Sequence, residues 1–241
     1  MMRFPLGLTA QLAKTRIARI WRTSPSNPLI KFVDSADVLH LGSAHPVSHE
    51  KLNDMTASLS PVVWIGGSEP LDHPGISHFV LANALSGHFV FLETNGVLLR
   101  RRIHEFQPLP RVFLTVRLGA RRTPAFELGV EGIRAARLSG FFTVVHSRVG
   151  EDLDKIELDR LRALLTELQV DGWLITAATA SNDAVRATRE ARSLISSWSW
   201  RSFSEQVERM LLSRPNVKEP HGDSLAEKPL SEICEESIKV A

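Results

Sequence analysis

The sequence predicts an α/β fold with a parallel sheet, and three observations carry that prediction. Short apolar runs of strand length alternate with segments of helical periodicity from Leu29 to Thr179. Two of the runs, Val62-Val63-Trp64-Ile65 and Phe89-Val90-Phe91-Leu92, are continuously apolar and read as buried strands. Each then ends in a polar turn, Gly66-Gly67-Ser68-Glu69-Pro70 after the first and Glu93-Thr94-Asn95-Gly96 after the second. In a βαβ unit such turns lie on one edge of the sheet, where parallel folds usually place ligands. The six strand–helix repeats fit a partial (βα)6 TIM-like barrel. A complete eight-stranded barrel typically takes about 250 residues, and the residues beyond Ala180 lack two further strand–helix units.

The elements follow in order. Residues 1–28 form an N-terminal unit, in which Leu12, Ile17, Ile20 and Trp21 interleave with Lys14, Arg16, Arg19 and Arg22 as a short basic amphipathic helix, followed by the linker Thr23-Ser24-Pro25-Ser26-Asn27-Pro28. Two readings of residues 1–22 stand side by side: peripheral membrane or partner docking, or a helix laid across one end of the barrel with its basic face solvated. The barrel spans 29–180. Its first strand is Leu29–Val33, its first loop Asp34–His49 and its first helix Lys51–Leu59. After Val62–Ile65, Pro74-Gly75 opens a helix over Ile76–Leu85, and Gly87 closes it before Phe89–Leu92.

A helix over Val97–Phe106 carries Arg100-Arg101-Arg102, which either solvate its outer face or grip an anion. The remaining barrel elements are Val112–Leu118, the helix Phe126–Ser139 stopped by Gly140, Phe141–His146, the helix Asp152–Leu168 and Val170–Ile175. Residues 181–213 read as two helices, Asn182–Trp200 and Phe203–Leu212, with Trp198 and Trp200 as an aromatic contact surface or as packing anchors. Residues 214–241, with Pro215, Pro220 and Pro229, read as a disordered polar tail.

Composition narrows the function. A hydrophobic share of 43%, a charged share of 23% and a formal net charge of +2 are those of an ordinary soluble protein and give no reason to expect a nucleic-acid partner. No apolar run is long enough for a transmembrane segment and the start does not resemble a secretory signal, so a cytoplasmic location is expected. The single cysteine, Cys234, allows no internal disulfide and no site with two thiolate ligands. It lies in the polar tail without a basic cluster near it in sequence, which makes an inert thiol the expectation.

Gly66-Gly67-Ser68-Glu69-Pro70-Leu71 resembles the Gly-Gly-Glu-Pro turn of the radical S-adenosylmethionine (SAM) superfamily, and Thr94-Asn95-Gly96 resembles the Thr-Asn-Gly after its next strand. From Pro28-Leu29-Ile30 onward the chain is similar to the hopanoid-biosynthesis branch of that superfamily, including Val170-Asp171-Gly172. The resemblance implies a barrel of the radical SAM type. It also implies that Gly66, Gly67, Ser68, Glu69, Thr94 and Asn95 face the ligand SAM, with the Glu-bearing turn around its amino group. In the same register the three cluster cysteines fall at Leu39, Ser43 and Pro46, none of which ligates iron. A [4Fe-4S] cluster is therefore not expected, and reductive SAM cleavage with it.

His40, His45 and His49 in the same loop are surface residues or, in a second reading, a replacement metal site. Arg117-Leu118-Gly119-Ala120 stands where the branch has a His-Leu-Asp-Gly-like ending; an inward Arg117 would favour an anion, and an outward one has no bearing on the site. His146 ends the fifth strand. Three functions are consistent with these features. The first is a pseudoenzyme barrel that binds a small molecule, SAM among the candidates, as an accessory or regulatory protein. The second is a non-radical enzyme using Glu69, His146 and the loop histidines for acid/base or metal chemistry. The third is a structural partner of an active radical SAM relative.

Overall fold

The structure is a computed structural model that describes residues 4–20, 28–35, 59–119, 123–152 and 154–213. The positions Leu39, Ser43 and Pro46, the histidines His40, His45 and His49, the helix expected from Lys51 and the tail with Cys234 lie outside the described residues.

Among the described residues six strands form one sheet: β1 (Ile30–Asp34), β2 (Val62–Gly66), β3 (Phe89–Thr94), β4 (Val112–Arg117), β5 (Phe142–Val149) and β6 (Gly172–Ala177). They pair in chain order and all in parallel. Successive parallel strands need a crossover each, and right-handed crossovers without a reversal of strand order put the helices on one face, so the sheet curls into a half-barrel. The helices are α1 (Leu6–Ile20), α2 (Ile76–Leu85), α3 (Leu99–Arg102), α4 (Pro124–Leu138), α5 (Lys155–Glu167), α6 (Asn182–Ala191) and α7 (Trp198–Leu212). Side-chain caps fix several starts: Thr123 accepts from the Phe126 N–H, Asp154 from those of Ile156 and Glu157, and Ser181 from that of Ala184.

One register row fills the concave side. Trp64, Phe91, Phe113 and Phe142 are Cα partners across β2 to β5. Their rings stack in series, with centroids 5.6, 4.6 and 5.3 Å apart. All but the half-buried Phe142 are fully buried, so this aromatic floor is a large apolar contribution to the core.

Helix α7 occupies the side that two more strands would close. Its Phe203 ring lies 4.9 Å from Phe91, Trp200 packs on Gly172, and Phe4 meets Trp200 edge-on at 4.7 Å. It also serves the outer edge of β6, whose backbone groups have no strand partner there among the described residues. The Ile175 N–H donates to Ser204 Oγ at 3.3 Å, the Ala177 N–H donates to Glu208 Oε1 at 2.9 Å, and Arg192 Nε donates to the Ile175 carbonyl at 2.8 Å. Helix side chains thus satisfy an edge that would otherwise template strand addition. Ser204→Ala is expected to cost ~1–3 kcal/mol, the range for leaving one buried donor unsatisfied. Urea denaturation measures it, and an unchanged midpoint would show that the edge N–H is satisfied in another way.

Helix α1 packs on α7 and against the amino end of β3, where a Cβ at Gly7 would stand 3.3 Å from the Phe89 ring. Leu8 and Leu12 are buried and Lys14, Arg16 and Ile17 are exposed. Among the described residues no helix is long and apolar enough to cross a membrane.

Two expected helices differ. The Val97–Phe106 helix shrinks to the four residues of α3 and a 3-10 turn over Ile103–Glu105, because no side chain caps its start and Pro108 lies just beyond. The continuous helix Asn182–Trp200 is interrupted. The buried Arg192 is held to β6, a 3-10 turn covers Arg192–Leu194, and Ser197 caps a new helix by accepting from the Trp200 N–H. β6 starts at Gly172 rather than Val170, since the Val170 N–H still donates to the Leu165 carbonyl of α5.

Candidate functional site

The carboxyl ends of β1 to β6 converge on one rim, and the residues singled out from the sequence meet there. Glu69 caps the 3-10 turn Pro70–Asp72. Its Oε1 accepts from the Leu71 N–H at 3.1 Å and the Thr94 hydroxyl at 2.5 Å, and its Oε2 accepts from the Asn95 N–H at 2.7 Å. One carboxylate therefore ties the turn after β2 to the turn after β3. Burial pushes the Glu69 carboxyl up from its ordinary value, against the lowering effect of those three donors and of the Arg117 charge.

The second turn closes on itself. Thr94 Oγ1 accepts from the Gly96 N–H at 3.0 Å, and Asn95 Oδ1 accepts from the Val97 N–H at 2.9 Å. Ser35, just after β1, donates its hydroxyl to the Ser68 carbonyl at 2.6 Å, and the Asp34 carboxylate fills the space a Cβ at Gly67 would need. Arg102 fastens the outer part of the first turn through the carbonyls of Leu71 and His73 and pairs with Glu105. Of the three consecutive arginines, Arg102 is a loop fastener and Arg100 pairs with Glu131 at 2.9 Å.

Arg117 points to the rim. Its Nη2 lies 3.9 Å from Glu69 Oε2, and its side chain keeps 35% of its surface exposed. Arg148 sits near it: burial lowers its pKa, the Glu93 charge raises it and the Arg117 charge lowers it, and it donates to the Ala178 carbonyl at 3.3 Å.

Beneath the rim runs a buried relay. Thr176 Oγ1 and His146 Nε2 are 2.8 Å apart, His146 Nδ1 and Glu93 Oε1 are 2.7 Å apart, and Trp64 Nε1 donates to Glu93 Oε2 at 3.0 Å. Burial by itself would raise the Glu93 carboxyl, yet the His146 charge and hydrogen bond, the Arg117 charge and the Trp64 donor together hold it at about 2. Glu93 is therefore ionised. Thr176 is 0%, His146 1% and Glu93 5% exposed, so the relay is sealed from solvent rather than open to a substrate. The Thr115 hydroxyl, next to Glu93 in register, is buried without a hydrogen-bond partner among the described residues.

Gly66, Gly67, Ser68, Glu69, Thr94, Asn95, Arg117 and His146 thus share the rim or the layer under it. Sequence reasoning missed Glu93, Trp64, Thr176 and Arg148. Period-two alternation gave the signal for Glu93, which shares a strand face with Phe91 and so must carry its charge into the core. Among the described residues no group of three or more His, Cys, Asp or Glu could hold a metal ion. Comparison with known proteins finds no family model and no curated protein that matches the chain.

Proposed function

We propose that this protein is a radical-SAM-like half-barrel that binds a small molecule bearing an amino-acid head group, with SAM the first candidate, and serves as an accessory or regulatory protein rather than a reductive SAM-cleaving enzyme. One observation carries the reading: a half-exposed arginine and a carboxylate face each other across 3.9 Å at the open end of the half-barrel. An α-amino acid carries both complementary charges, so its carboxylate suits Arg117 and its ammonium suits Glu69 Oε2 and the carbonyls of the glycine turn. The cluster of the resembled superfamily does not fit this chain. The sequence holds one cysteine, and Leu39, Ser43 and Pro46 offer no thiolate.

The test is calorimetric titration with SAM, S-adenosylhomocysteine and methionine. Arg117→Ala is expected to weaken binding ~10-fold or more, the worth of one charge-assisted hydrogen bond. Glu69→Ala is expected to abolish binding with a lowered melting temperature, since the carboxylate also ties the two turns. Lack of saturable binding by any of the three ligands would overturn the reading.

The hydroxyl–imidazole–carboxylate relay favours acid/base catalysis as a second reading. Its burial places it behind the first, as a layer that holds the rim residues in position.

A further inference from the structure

A second concave site shares none of the rim residues named above. Helices α1, α6 and α7, with the turn after α6, flank a half-open hollow of about 840 Å³ lined by Arg16, Arg189, Arg192, Arg201, Arg209 and Trp198. Two acids also line it, and both have partners: Glu208 pairs with Arg192 at 2.6 Å and accepts from the β6 edge, and Glu205 lies 3.7 Å from Arg209. Arg16, Arg189 and Arg201 remain. Among the described residues none of these three forms an ion pair, and each comes from a different helix, so three cations converge on one hollow whose lining holds five arginines and two acids. Arg16 lies over the Trp198 ring, 5.6 Å from its centroid, and that ring is 37% exposed.

Like charges across a hollow repel one another and focus a positive potential into it. A multivalent anion relieves that repulsion, and the planar guanidinium fork matches phosphate oxygens two at a time. The volume falls in the range of about 300–1,000 Å³ usual for small-molecule sites, and a part-exposed indole at the wall offers a surface for an aromatic ring. We propose that this arginine-lined cavity binds a polyphosphate-bearing small molecule of nucleotide size, with Arg16, Arg189 and Arg201 on the phosphates and Trp198 beside the remainder. The rim site and this one are independent, so either can hold if the other fails.

The protein is titrated calorimetrically with sodium triphosphate and, separately, with ATP, at low and at physiological ionic strength. Saturable micromolar binding that weakens with salt is expected. Equal affinity for the two ligands assigns recognition to the phosphates alone, and tighter ATP binding adds Trp198; both support the site. The double variant Arg189→Glu with Arg201→Glu should lose affinity ~10-fold or more, and Arg134→Glu on the exposed side of α4 should leave it unchanged. Should the double charge reversal lower the melting temperature, Arg189→Gln with Arg201→Gln gives the same comparison at a smaller perturbation. Absence of saturation with both ligands, an equal loss in Arg134→Glu, or binding to anionic vesicles without binding to triphosphate would each overturn the proposal.

Discussion

Glu93→Gln is expected to lower the unfolding free energy by ~1–3 kcal/mol, the usual cost of leaving a buried hydrogen-bonding group without its charged partner. The substitution keeps the shape of the side chain and an acceptor for Trp64 Nε1. It removes the charge that faces His146 Nδ1 at 2.7 Å. The pH dependence separates this cause from simple misfit. The Glu93 carboxyl is depressed from 4.5 to about 2 in the folded protein, so its ionised form contributes stability that is complete above pH 4.5 and is lost as pH falls towards about 2. That depression corresponds to ~3 kcal/mol. The stability gap between wild type and Glu93→Gln should therefore shrink over that interval in urea unfolding followed pH by pH. Glu69 acts with the opposite sign: burial raises its carboxyl, so its contribution is complete below pH 4.5 and declines as pH rises. A gap that stays constant from pH 4.5 to about 2 would mean that Glu93 is not an ionised partner of His146. Replacing both Glu93 and His146 by leucine should recover part of the loss, since an apolar pair carries no desolvation cost.

The strands were legible because their burial leaves a local mark. A run such as Val112-Phe113-Leu114-Thr115-Val116 is covered on both faces, and continuous apolarity with β-branched and aromatic residues follows from that. Ile76–Leu85 was legible to its ends because a Pro-Gly breaker and a glycine punctuate it. Helix interruption at Arg192 was not, since its cause is tertiary. Arg192 reaches the β6 backbone and Glu208, and nothing between Asn182 and Trp200 states that the chain must bend there to make those bonds. Ser196-Ser197 was the one local hint, and a serine inside a helix is ordinary enough to pass unread.

The rim was legible in its turns and illegible in its depth. Gly66-Gly67 and Asn95-Gly96 announce turns by composition, and parallel topology then brings them to one edge. Whether Glu69 offers its carboxylate to a ligand or to its own chain depends on where the Thr94 hydroxyl and Asn95 N–H stand, which is a matter of register between β2 and β3. The Glu93–His146 pair joins residues 53 apart in sequence. Local patterning cannot show such a contact, although a strand-borne glutamate among aromatics does announce that a cation must come from elsewhere.

Gly172→Ala is expected to destabilise the fold by ~3 kcal/mol or more, at the upper end of overpacking penalties. A Cβ at Gly172 would overlap the Trp200 indole, whose ring is fully buried and held from other sides by Phe4 at 4.7 Å and Phe203 at 6.3 Å. The ring cannot withdraw without dragging α7, and α7 is what covers the outer edge of β6. Trp200→Leu alone should also destabilise, by opening a void under Phe4. Together the two changes should be markedly better than additive, with a coupling of ~1–2 kcal/mol in favour of the double variant, because the smaller ring site receives the added methyl. Thermal and urea unfolding of the four proteins measure this cycle. Additive losses would mean that the Trp200 ring and the backbone at Gly172 do not constrain one another. Coupling would mean that α7 is seated on β6 through the Trp200 ring, with Gly172 as the point where the backbone makes room for it.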